Sequence, residues 1–447
     1  MGTIASRFAA DCRYTLRSLR KSPIFTIVAV FSIAFGIGAN SAIFTLLDQI
    51  LLRSLPVSDP GRLVMIYSKG VHYGNNRGGE ALSYPMFQDF RDRNTVFDGV
   101  FCRYGTPLSM SDGSSTERVN GELVSGNYFQ VLGVTATAGR VFTSSDDKIP
   151  GGQPVAILSY GFWQKRFGGD RSIVGKQIRL NGLAMTIVGV TPKGFDGTDP
   201  GISPDVRAPM MMKAQMTPGW DDMKNRRSRW VNVFARLKPG VSLGRAQAEV
   251  ETIFHQILNM EVQDKEFAHA STYARQPFLR LPSLVATAAA GHSTLREALE
   301  KPLLVLMVVV GFVLLIACAN LANLLIARAT ARQKEIAVRL ALGASKLQIV
   351  TQLLIESSFL AVLGGAAGLV FATAIVQFLL NLTPAYGLTL TISATPDLRI
   401  LAFTFGVSVL TGVIFGLIPA LQATRTDVGP TLKDQAQSVA GGTHLWL

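Results

Sequence analysis

The sequence predicts a membrane α-helical protein: four transmembrane helices, with an α+β extracytoplasmic domain inserted between the first and the second. Three observations carry the prediction. Only 16% of the 447 residues are charged, against about a quarter in soluble domains, and the mean hydropathy is +0.30. The deficit is uneven, because long uncharged runs lie toward both ends while the middle has an ordinary soluble composition. Lys and Arg crowd beside the apolar runs, where the cytoplasmic face of a membrane retains them. The resulting division is a cytoplasmic segment over 1–23, a first span over 24–52, an extracytoplasmic domain over 53–301, three further spans within 302–425 and a cytoplasmic tail over 426–447.

The first span runs from Ile24 to about Leu47 without a charged residue, enough for the roughly 20 residues a helix needs to cross the hydrocarbon core. A cleaved signal peptide is the rival, since Ala39-Asn40-Ser41-Ala42 resembles a small-residue cleavage site. The apolar run continues past it to Leu46-Leu47, beyond the roughly 7–15 residues of a signal core. The second span runs from Leu303 to Ala327, broken only by Asn320 and Asn323. The third runs from about Ile349 to Leu382 and is charged only at Glu356; a run this long tilts or leaves its first turns at the interface. The fourth runs from about Ile400 to Leu421.

Orientation follows from the short loops. Arg7, Arg13, Arg17, Arg20 and Lys21 precede the first span. Arg328, Arg332, Lys334, Arg339 and Lys346 lie between the second and third, and Arg425 and Lys433 follow the fourth. The loop from Asn381 to Asp397 has no Lys or Arg. Both termini are therefore expected inside, and the region between the first two spans outside. This arrangement explains the net charge of +13 without nucleic acid, for which no recognition motif is present. It also puts Cys12, Cys102 and Cys318 in three different compartments, so no disulfide is expected to staple the outer domain. Gly364, Gly368 and Ala372 repeat at i+4, as do Gly412 and Gly416. Such stripes let helix backbones approach closely in lipid, within one subunit or against a second.

The outer region alternates short β patterns with turn signals. Val155–Leu158 reads as a buried strand. Lys176–Leu180, Asn181-Gly182 and Met185–Val190 read as a hairpin. Trp230–Leu237 reads as a further strand, turned by Pro239-Gly240. Ser242 then caps a helix from Leu243 to about Leu258, with Ile253, Phe254 and Ile257 on one face. A region of this size is expected to bury its own core, as two subdomains.

No catalytic, cofactor-binding or metal-binding residues are expected. His72, His255, His269, His292 and His444 make no metal-ligand spacing. Asp146-Asp147 and Asp221-Asp222 read as solvated turn residues, and no GxSxG frames a serine. Gly169–Gln177 looks like a phosphate loop, but Asp170 stands where that pattern needs Gly, and Gln177 where it needs Ser or Thr.

The segment after the second span is the most informative. Arg328, Arg332, Glu335 and Arg339 recur at three or four residues and share one helical face; Ile336, Leu340, Gly343 and Leu347 line a neighbouring one. The pattern predicts a short amphipathic helix at the inner membrane surface, either a topological anchor or a docking element for a cytosolic partner. The run Glu335-Ile336-Ala337-Val338-Arg339-Leu340-Ala341-Leu342-Gly343-Ala344 resembles the coupling helix of MacB/FtsX-type ABC transporter permeases. Leu19–Pro23, Gly36–Asn40, Gly126–Val134, Gly139-Arg140, Leu158–Trp163, Gly189-Val190 and Ala317–Leu324 resemble other parts of that family, in the same order. The resemblance covers nearly the whole chain and is closest to the first half of the duplicated permeases of acidobacteria.

The resemblance implies a MacB-like periplasmic core over 53–301 and an FtsX-like permease domain over 302–425. It implies a permease subunit in the bacterial inner (cell) membrane that is not itself an enzyme. A cytosolic ABC ATPase would press on Glu335, Ile336, Arg339, Leu340, Gly343 and Ala344, and the spans would carry that motion outward for export or efflux. The roughly twenty residues before the first span leave no room for an ATPase, so a separate one is expected. Other implied partners are a second copy or related permease, membrane lipid, and a periplasmic adaptor or outer-membrane channel. Two other functions in the family stay open: mechanotransmission or signalling to a periplasmic partner without transport, and release of lipoproteins.

Overall fold

A computed structural model of the protein describes residues 13–70, 74–76, 80–111, 115–264, 267, 272–291, 294–332, 338–339, 345–382 and 395–423. They fall into two compact units. One is Gln49–Glu297; the other takes in the described residues up to Asp48 and from Ala298 onward.

The Gln49–Glu297 unit is built on a ten-stranded mixed sheet. Its strands are β1 (Leu63–Ser68), β3 (Phe97–Ser111), β4 (Thr116–Val124), β5 (Ala138–Gly139), β6 (Val155–Leu158), β7 (Gln177–Leu180), β8 (Leu183–Val190), β9 (Val206–Pro209), β11 (Asn232–Leu237) and β12 (Ser283–Thr287). Asn75–Asn76 (β2) and Ser228–Arg229 (β10) form a separate parallel pair. Six strands close on themselves, because β3 pairs with β4, β4 with β9, β9 with β6, β6 with β8, β8 with β7, and β7 back with β3. Closure removes the sheet edges that would otherwise be exposed. The remaining wing runs β3–β11–β1–β12. Gln247 covers the outer edge of β12, donating to Ser283 O at 2.8 Å and accepting from Val285 N at 2.7 Å.

One core takes in the apolar residues of α3 (Tyr84–Arg93), α5 (Tyr160–Phe167) and α7 (Leu243–Val262). A second gathers Phe101, Phe129, Phe142 and Phe195, among others, with α4 (Tyr128–Leu132). The two cores share one sheet, so the expected two subdomains are replaced by a single unit. The Asn181-Gly182 hairpin forms between Leu180 and Leu183, with both turn residues at positive φ (47° and 85°), the geometry a two-residue hairpin turn requires. Ser242 caps α7, accepting from Arg245 N at 3.3 Å, and Ile253, Phe254 and Ile257 are buried. The expected strand from Trp230 begins two residues later, since Trp230 N and Val231 N both donate to Leu82 O. Asp146 is not a solvated turn residue: it is buried, takes both Arg140 nitrogens at 2.7 and 2.8 Å, and caps the turn that follows Thr143.

In the other unit, α1 (13–21) leads into α2 (Pro23–Leu47), which at Asp48, the unit boundary, widens into a π-helical turn (Asp48–Leu52). The long helices α9 (Thr294–Ala331) and α10 (Lys346–Leu382) and the helix α11 (Leu398–Ala423) complete the elements used below; the short helices α6 (Lys213–Met216) and α8 (Thr272–Leu279) belong to the sheet-bearing part of the chain. Among the described residues, three stretches are long and apolar enough to cross a membrane: Pro23–Leu52, Ala298–Arg328 and Leu347–Leu379. The apolar stretch of α11 that meets the same test of composition, Leu398–Ile414, is shorter. The helices meet through small residues and buried polar bonds. Asn40 Nδ2 donates to Gly36 O and, across to α9, to Val310 O at 2.8 Å. Ser41 and Thr404 share a hydrogen bond of 2.8 Å between α2 and α11. In an apolar medium such bonds satisfy groups that have no water to turn to.

Candidate functional site

Glu356 is the one acidic residue in α10 and its side chain is buried. A lone carboxylate there would cost several kcal/mol, so it must be met by opposite charge. Arg328 and Arg332 supply it, four residues apart on one face of the α9 end. Arg328 Nη1 lies 2.6 Å from Glu356 Oε1, and Arg332 Nη1 lies 3.5 Å from Oε2. Both guanidinium groups also reach α1. Arg328 Nη2 donates to Ser18 Oγ at 2.9 Å and Ser18 O at 3.2 Å, and Arg332 Nη2 donates to Ser18 Oγ at 2.6 Å. Phe25 closes the cluster, its ring centroid 4.4 Å from the Arg328 guanidinium.

A second set of contacts lies next to this one. Arg339 Nη1 donates to Gln352 Oε1 and Nη2 to the Tyr14 hydroxyl, each at 3.1 Å, with the guanidinium 5.1 Å from the Tyr14 ring centroid. At the start of α10, Ser345 Oγ accepts from Gln348 N at 3.2 Å and Gln348 Oε1 accepts from Ser345 N at 3.0 Å, a reciprocal cap. Of the described residues between α9 and α10, Arg332, Arg339 and Ser345 are thus each held by such contacts. Gln352 and Glu356 are one turn apart on α10, so the ties converge on that helix's first turns.

Arg328 and Arg332 turn inward to Glu356 and Ser18, because an apolar helix carrying a carboxylate draws the nearest cations. Of the predicted coupling residues, Arg339 is the one described; Glu335, Ile336, Leu340, Gly343 and Ala344 lie outside the described residues. Ser18, Tyr14, Gln352 and the pairing of Glu356 escaped the sequence reading, although a lone Glu in a run of this length, with two Arg at i and i+4 beside the preceding span, is a legible signal. A second buried carboxylate, Asp48 in the π turn, lies 3.4 Å from Arg399 Nη1 of α11.

The predicted packing glycines lie on helix faces. A Cβ at Gly364 would meet the Ile33 side chain, and one at Gly368 would stand 2.9 Å from Ala34 O. Gly38 faces Gly368 in return, its Cβ position 2.8 Å from Gly368 O. Gly412 sits against Ala361 and accepts from Ser357 Oγ at 3.0 Å. Gly416 follows one turn on in α11.

The Gln49–Glu297 unit holds buried charge that is structural. Arg103 and Arg207 flank Glu122, at 3.2 and 2.8 Å, and Arg103 also pairs with Asp199. The carboxylates hold both guanidinium groups above their ordinary range despite burial. Burial pushes Asp147 up to about 6, although it accepts from Gly126 N and Met211 N. Burial likewise pushes Glu261 up to about 7 and Arg229 down to about 10. A cleft of about 420 Å³ is lined in part by Tyr84, Gln88, Lys213, Asp221 and Lys224. Among the described residues no group of His, Cys, Asp or Glu could hold a metal ion. In the Gly169–Gln177 segment, Asp170 caps a 3-10 turn through Ser172 N. The described cysteines, Cys102 and Cys318, are both free.

Two family models match the chain: the MacB-like periplasmic core domain over residues 26–253 and the FtsX-like permease C-terminal domain over residues 307–428. The chain belongs to the MacB/FtsX-type ABC transporter permeases, a family of multi-pass membrane proteins. It is 22% identical over 445 residues to the macrolide export ATP-binding/permease protein MacB of Salmonella paratyphi A, covering 95% of this chain and 60% of that protein. It is 26% identical to the protein of the same name from Bradyrhizobium diazoefficiens, with the same coverage. The chain thus spans about 60% of the length of these relatives. Among solved structures, the periplasmic region of MacB from Actinobacillus actinomycetemcomitans aligns with a TM-score of 0.36 at 13% identity, over 55% of this chain and 94% of that one. The extracellular domain of the ABC-type transporter YknZ from Gram-positive bacteria aligns with a TM-score of 0.34 at 15% identity, over 46% and 96%.

Proposed function

We propose that the chain is the permease subunit of an ABC transporter that turns ATP hydrolysis into motion of its extracytoplasmic domain, for export or efflux. In this reading it crosses the bacterial inner membrane four times, with both termini in the cytoplasm and 53–301 outside. The ATPase is an ABC-type protein supplied outside these 447 residues. It docks on the segment around Glu335, Ile336, Arg339, Leu340, Gly343 and Ala344. The observation that carries the reading is the anchoring of that segment: Arg332, Arg339 and Ser345 bind it to α1 and the first turns of α10, so that a push on it is handed to the spans rather than absorbed locally. A second copy or a related permease completes the membrane assembly, and a periplasmic adaptor or outer-membrane channel is the partner outside.

The test is purification of the full chain from native membranes in mild detergent. An ABC ATPase should accompany it. Replacing Arg339 and Gly343 with Glu should remove that ATPase while membrane insertion stays intact. Undiminished association in the double variant would refute the docking role.

A further inference from the structure

We infer that Glu356 is a positioning residue that locks the N-terminal helix α1 and the α9 end onto α10, so that motion of the coupling segment enters the membrane through two helices, α10 and α2, at once. The inference rests on the coupling reading given above and adds a residue and a second route to it.

The geometry points there through four observations. Glu356 is the only acidic residue over Lys346–Leu382, and it is buried one turn from Gln352, which holds Arg339. Its two oxygens are divided between two cations, Arg328 on one and Arg332 on the other. Both cations turn their Nη2 to the same residue of α1, Ser18. Helix α1 runs into α2 across Ser22-Pro23, and Thr26 Oγ1 bridges that joint by donating to Leu19 O at 2.9 Å and Ser22 O at 3.0 Å. The chain of contacts is therefore continuous from the segment, through Arg332 and Ser18, to α2. It is equally continuous through Glu356 to α10. Removing the carboxylate leaves two cations with no counter-charge in an apolar setting, and they would turn away to water. Ser18 would then lose both donors, and α1 would be released from α10.

The inference predicts separable defects. Glu356→Gln keeps the size of the side chain and the coupling segment itself, so an ATPase should still bind. Motion should no longer pass evenly to α1 and α10. The full chain, with Cys12, Cys102 and Cys318 changed to Ser, carries spin labels at Arg17→Cys and Leu347→Cys, both exposed positions. In nanodiscs the 17–347 distance distribution is measured without nucleotide, and with ATP and vanadate when the co-purified ATPase is present. The parent chain should give a narrow distribution that shifts with nucleotide. Glu356→Gln should at least double its width and abolish the shift while the ATPase still co-purifies. The exchange Arg328→Glu with Glu356→Arg should restore at least half of both effects. Should Glu356→Gln fail to insert, Arg332→Gln serves, with the same broadening expected. A distribution in these variants identical to that of the parent overturns the inference. Absence of any ATPase from the parent chain overturns the coupling reading instead, and the nucleotide-free width then tests the lock by itself.

Discussion

Single buried charges set the behaviour of both units. Glu122 is shared between Arg103 and Arg207 with almost no exposure on any of the three. Glu122→Ala would leave the buried Arg207 without its counter-charge and Arg103 with Asp199 alone, a loss of about 3–5 kcal/mol. A drop in the thermal midpoint of the full chain in detergent checks this, and a shift of less than a degree or two would contradict it. Glu261 ties stability to pH. Burial raises its folded pKa to about 7, above the 4.5 of an ordinary glutamate, so the folded state holds its proton more tightly than the unfolded chain does. Its contribution is fully present below about pH 4.5 and is lost as pH rises through about 7. Thermal midpoints taken between pH 5 and pH 8 should therefore decline with pH, and Glu261→Gln should flatten that slope. Arg226, at 3.5 Å, and the buried Arg229 face this carboxylate, and Asp89 pairs with Arg226, so the slope belongs to the group rather than to one residue.

Among the elements, those with strong local rules were legible in the sequence. The Asn181-Gly182 hairpin, the Ser242 cap and the apolar face of α7 follow from turn chemistry and periodicity. The closed ring of six strands was not legible, because β3 and β7 meet through only two paired positions and are separated by more than sixty residues. The candidate site was half legible. The charge pattern around Arg328–Arg339 marks the segment, yet which cations turn inward depends on Glu356 arriving from the next helix, a contact that spacing cannot reveal. Helix contact through small residues makes its own prediction. A Cβ at Gly368 would approach both Ala34 O and Gly38 N to about 3 Å, where backbone cannot yield cheaply. Gly368→Leu should force α2 and α10 apart and lower the yield of monodisperse protein in detergent several-fold. Gly311→Leu, at a position where a Cβ meets nothing, should leave that yield unchanged.

At the scale of the whole molecule, the account requires residues 53–301 and the segment before α10 to lie on opposite sides of the membrane. In a chain freed of its own cysteines, Ser172→Cys should react with a membrane-impermeant maleimide from outside, and Leu347→Cys only after permeabilisation; both positions are exposed. The most direct test is hydrogen exchange of residues 53–301 in nanodiscs containing the full chain and its co-purified ATPase. Exchange is compared without nucleotide and with ATP and vanadate. The account predicts that trapping the ATPase changes exchange within 53–301. ATP turnover accompanied by no change anywhere in that region would contradict it.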